Sequence, residues 1–138
     1  MKLLSFYRLS AISSILFIVL AFVLMFSPVQ ILSAWGVELT SSVGLLARRI
    51  AALYTGIAVM FFIARNAEHS TTRTALIYGI ITSCLILAIL GAYEFSVGHA
   101  TRGILPAVFI EVALVLAFMY VGCECNNENK LNKKMSKK

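Results

Sequence analysis

Four charged side chains set inside apolar stretches are the residues of this sequence that could do chemistry: Arg48, Arg49, Glu94 and Glu111. Guanidinium and carboxylate groups can pair with one another, hold the charged head of a ligand, or relay a proton. A charge at the centre of a membrane-spanning helix costs about 2.5–3.5 kcal/mol, so each needs a partner, water or a route to the surface. Tyr54, Tyr93, His99 and Arg102 are placed to contribute at the edge of such a cluster. No nucleophile–base pair, metal-ligand cluster or nucleotide loop is legible. No catalytic residue, metal or cofactor is therefore expected. His69 and His99 fall in turns on opposite sides of the expected membrane and cannot clamp one haem or metal together. Cys123 and Cys125 amount to half a zinc site.

The elements that position these charges are apolar helices. Of 138 residues, 60% are hydrophobic and 13% charged, against about 45–50% and about 25% in soluble domains. Such a chain has too little polar surface to cover a soluble core, and a polytopic all-α membrane protein is expected. The net charge of +6 does not point to nucleic acid. Lys130, Lys133, Lys134, Lys137 and Lys138 crowd the last nine positions, and other basic residues flank apolar runs.

Residues 9–26 form the first expected span, preceded by Lys2 and Arg8. The run exceeds the about 7–15 apolar residues of a signal peptide and meets Ser27-Pro28, without a small-residue cleavage site. Residues 28–42 connect to the second span, with Trp35 suited to a bilayer interface and the apolar side chains of a segment lying on the membrane. The second span covers residues 43–65, the third 74–97 and the fourth 104–122, with Pro106 tolerated in a first turn. Residues 1–122 thus form one four-helix membrane domain. Residues 123–138 read as a disordered basic tail.

Four spans put both termini on one side. Lys2, Arg8, Arg65, Arg73 and the tail lysines would then face one compartment, and only Arg48, Arg49 and Arg102 the other. The positive-inside rule makes the first compartment the cytoplasm. The tail is expected to meet anionic inner-leaflet lipids, at about 1 kcal/mol per charge near the surface.

Topology sets depth. At about 1.5 Å per residue, Arg48 and Arg49 lie about 7–9 Å below the outer end of their span, Glu94 about 4–5 Å and Glu111 about 10 Å. The four charges share one outer layer and balance. Arg48 shares a helix face with Ala51, Ala52, Thr55 and Gly56, small residues that permit close packing, so Arg48 is expected to turn inward and meet Glu94 or Glu111. The layer would then be a salt-bridge network, or a pocket for a lipid head group, an anionic or amphipathic small molecule, or a proton.

The first span ending in Ser27-Pro28, followed by Ala47-Arg-Arg-Ile-Ala-Ala-Leu-Tyr-Thr-Gly56 in the second, resembles small bacterial four-helix membrane proteins of unknown function, DoxX-like proteins among them. The resemblance is one of layout over most of the chain and implies a compact four-helix bundle in a bacterial inner membrane. The functional expectation is a non-enzymatic integral membrane protein, a lipid- or small-molecule-binding bundle or an accessory subunit of a membrane complex. The alternative is a small oligomeric transporter or channel with Glu111 or Glu94 as coupling carboxylate. Expected partners are membrane lipids, a membrane protein or further copies of the chain.

Overall fold

A computed structural model describes residues 5–67 and 71–135, with residues 124–135 described by backbone alone. His69, Lys137 and Lys138 lie outside the described residues. All regular structure in the described residues is helical: α1 (Phe6–Phe26), α2 (Pro28–Trp35), α3 (Ser41–Ala64), α4 (Thr71–Val97), a 3-10 turn (Arg102–Ile104) and α5 (Leu105–Met135). Four stretches are long and apolar enough to cross a membrane: Phe6–Phe26, Ser41–Ala64, Thr71–Val97 and Arg102–Cys123.

Local chemistry accounts for the helix ends. Ser5 starts α1 by accepting from the Arg8 N–H, and Thr40 starts α3 by accepting from the Val43 N–H. Pro28 opens α2, where its missing N–H costs nothing. Gly36 closes α2 in the left-handed region, with φ of 86°. The connection expected to lie along the membrane therefore contains a short, capped helix. The backbone of α5 continues helically to Met135, into the stretch read from sequence as a disordered tail. No proline or glycine follows Gly122, and extending an established helix is easier than nucleating one.

The helices pack as two close pairs, α1 with α3 and α4 with α5, with fewer contacts between the pairs. Phe6, Phe61, Ile77 and Val121 share one core cluster, which puts the start of α1, the end of α3, the start of α4 and the middle of α5 at one end of the bundle. There the pairs are joined by Phe61 against Phe118, ring centroids 5.4 Å apart, and Phe17 stacks on Phe61 in turn. At the opposite end, α2 and the 3-10 turn bridge the pairs. Outward surfaces stay apolar: Phe26, Leu53, Ile63 and Phe109 are each at least two-thirds exposed. Exposed apolar side chains on every long helix suit lipid as the surrounding solvent.

Small polar residues knit α1 to α3. The Ser14 hydroxyl donates to the Ala58 carbonyl at 2.8 Å, while Ser10 and Ser13 are fully buried with no hydrogen-bond partner in the described residues. Ser14→Ala should destabilise the bundle by about 0.6 kcal/mol, the average for hydrogen bonds between membrane helices. Ser13→Ala should be neutral or stabilising, because it deletes an unpaired buried hydroxyl. Equilibrium unfolding in mixed micelles checks both.

Candidate functional site

Between the two helix pairs the packing opens into a cavity of two adjoining lobes. One, of about 280 Å³, runs between α3 and α4 towards α5. The other, of about 380 Å³, lies on the α1 and α5 side. Tyr54, Leu87, Ala107 and Glu111 border both, as do Leu24 and Trp35. The floor is the aromatic core: Phe17, Ile80 and Cys84 belong both to that core and to the wall of the larger lobe.

The roof is made by α2 and the 3-10 turn. The Thr101 N–H donates to the Trp35 carbonyl at 3.0 Å, and the Thr101 hydroxyl donates to the Ala34 carbonyl. Gly103 lies under the same stretch, where an added Cβ would come within 2.8 Å of the Ala34 carbonyl carbon. Only a residue without a side chain allows so close an approach. Trp35, expected as an interface anchor, is half-buried and lines both lobes.

Of the residues singled out from sequence, Glu111, Glu94 and Tyr54 line the smaller lobe together. Glu111 and Tyr54 are half-buried, and neither makes a hydrogen bond or ion pair with a described residue. Glu111 is the seventh residue of α5, about 9 Å along the helix from Leu105. Glu94 accepts from His99 Nδ1 at 3.0 Å, so its partner is the histidine of the following turn. Tyr93 and Arg102 are exposed and border neither lobe.

The arginines stand elsewhere. Arg48 and Arg49 are exposed on α3, border neither lobe and pair with neither glutamate. The buried face of α3 carries Ala47, Ala51, Ala58 and Phe61. At about 100° per residue, Arg48 lies about 100° and Arg49 about 200° around from Ala47. Ala52 and Gly56, expected to mark the packed face with Arg48, are exposed, as is Thr55, and nothing lies within 4 Å of a Cβ added at Gly56. Arginine has the reach to lay its stem along the helix and carry its head to an interface, which removes the need for a buried partner. The carboxylate half of the expected layer therefore comes together without its cations.

Sequence reasoning allowed a pocket at the charged layer but missed its mostly apolar wall and the share of it that α1 and α2 supply. Gln30, Ser83 and Cys84 add polar edges to the larger lobe, and Gly91 brings α4 close to Val108 of α5. Gly103 followed closely by Pro106 marks a turn and helix start in the sequence, but only the structure brings that turn against the 28–42 connection.

The cavity is apolar over most of its wall, with Glu111 and Tyr54 at the junction of the lobes and no lysine, arginine or histidine among the lining residues of either. Apolar walls with a few convergent polar groups are the usual make-up of a small-molecule site. No protein-family model, curated protein or solved structure matches this chain.

Proposed function

We propose that this chain is a non-enzymatic integral membrane protein that binds a lipid-like small molecule between its two helix pairs, alone or as a subunit of a larger membrane complex. The observation that carries this reading is the cavity around Glu111. A carboxyl group within an apolar span is costly, and here it borders open space without a partner among the described residues. A side chain kept only for packing would be paired or replaced by an apolar one. The basic residues near Phe6 and Phe61 support placing that end of the bundle, with both termini, on the cytoplasmic side of a cell membrane.

Extraction of the full chain into nanodiscs, followed by native mass spectrometry, tests the reading. The expected result is a retained molecule at about one per chain, distinct from the bulk lipid supplied. Monodisperse protein carrying bulk lipid alone counts against it.

A further inference from the structure

Resting on the binding role proposed above, we infer that the ligand is a single-chain cationic amphiphile, an ammonium or quaternary ammonium head on an alkyl tail, taken up sideways from the bilayer. Charge decides the head group. Glu111 borders both lobes and Glu94 the smaller one, while no basic side chain lines either. The arginines that could have served an anion are exposed on another face of α3. An anionic head would meet Glu111 with no basic side chain on the cavity wall to offset it, and a neutral one could donate a hydrogen bond but leave the carboxylate charge unbalanced.

Aromatic groups favour the same head. Tyr54 and Trp35 border both lobes beside Glu111. Ring faces attract ammonium groups, most strongly where water is excluded. The tail has an apolar path: Leu16, Leu20, Ile57 and Leu114 line the larger lobe away from the roof. The two helix pairs touch sparsely between α3 and α4 and between α1 and α5, which is where the lobes lie. Access is therefore lateral, from lipid. A second carboxyl at Glu94, bound to His99 at the α2 end, gives an arriving cation a first contact before it reaches Glu111.

The test uses the full chain in phosphatidylcholine nanodiscs and three photoreactive probes with the same diazirine-bearing alkyl chain. Their heads are trimethylammonium, hydroxyl and sulfonate. The trimethylammonium probe should label peptides of α4 and α5 that line the cavity, at concentrations at least tenfold below those the other two require. Glu111→Gln should weaken cationic labelling by about tenfold, equivalent to about 1.4 kcal/mol, and leave hydroxyl-probe labelling unchanged. Glu111→Asp should keep most of the preference. If Glu111→Gln fails to fold, wild-type thermal unfolding replaces it: unlabelled alkyltrimethylammonium should raise the midpoint where the matched alcohol does not. Equal labelling by the three heads, or an undiminished preference in Glu111→Gln, overturns the cationic ligand while leaving a lipid-binding bundle standing. Failure of every probe to label the cavity saturably removes both readings.

Discussion

Gly103→Val should unseat α2 from the bundle, destabilising the protein by about 2–3 kcal/mol, the upper part of the range for overpacked sites. The reason is geometric. A Cβ at position 103 would stand 2.8 Å from the carbonyl carbon of Ala34 and closer still to its oxygen. The obstacle is backbone, which cannot change rotamer to make room. Relief requires moving α2 or the 3-10 turn, and both hold each other through Thr101 bonded to Ala34 and Trp35. Moving either breaks those bonds and lifts Trp35 from the cavity. Thermal unfolding in detergent should show the lower midpoint, and Trp35, the single tryptophan, should report the displacement through its fluorescence. The control is Gly56→Ala. It is also a glycine-to-larger change, but on an open helical surface, where alanine should stabilise by up to about 1 kcal/mol. An unchanged midpoint and emission in Gly103→Val would show that the roof is not held at this point.

The contrast between these glycines marks what is legible in the sequence. Four spans follow from run length and composition, but their expected starts, at residues 9, 43 and 74, fall a few residues late, because the caps at Ser5 and Thr40 lie outside the apolar runs. Depth along a span follows from counting residues, which is why counting alone puts Glu94 and Glu111 in one layer. Azimuth does not follow from counting. In a soluble helix the polar face marks the outside, but here the outward surface and the core are both apolar, so hydrophobicity loses its direction. On α3 the small residues run around the helix: Ala47 and Ala51 are buried, while Ala52 and Gly56 are exposed. Either stripe fits a packing seam. The second would turn Arg48 inward and supply Glu111 with a partner that the structure does not give it. Most of the cavity is hidden for a related reason, since an empty space between apolar walls has no residue type of its own. Trp35 shows the limit from the other side, because one ring serves an interface, a roof and a binding wall alike.

The opposed characters of the two halves of the bundle lead to the second large effect. Phe118 is fully buried between the helix pairs against Phe61, below the cavity. Phe118→Ala should cost about 3 kcal/mol, the lower end of the range for such truncations. The lower end follows from the proposed membrane setting: an unfolded span would still lie in lipid, so little transfer energy would be lost, and the cost would come from dispersion and the void. Ala107→Phe makes the opposite change one layer up. Ala107 borders both lobes and faces space already present, so a ring there fills a void without forcing neighbours apart. Stability should hold or rise, while retention of the bound molecule should fall at least about tenfold, or about 1.4 kcal/mol. Unfolding midpoints and native mass spectra of the two variants check the pair. Under this reading the floor is packed to hold four helices together, and the space above is left unfilled for a ligand. If Ala107→Phe lost stability as heavily as Phe118→Ala and kept its bound molecule, the space above the aromatic floor would be a packing layer and not a binding site.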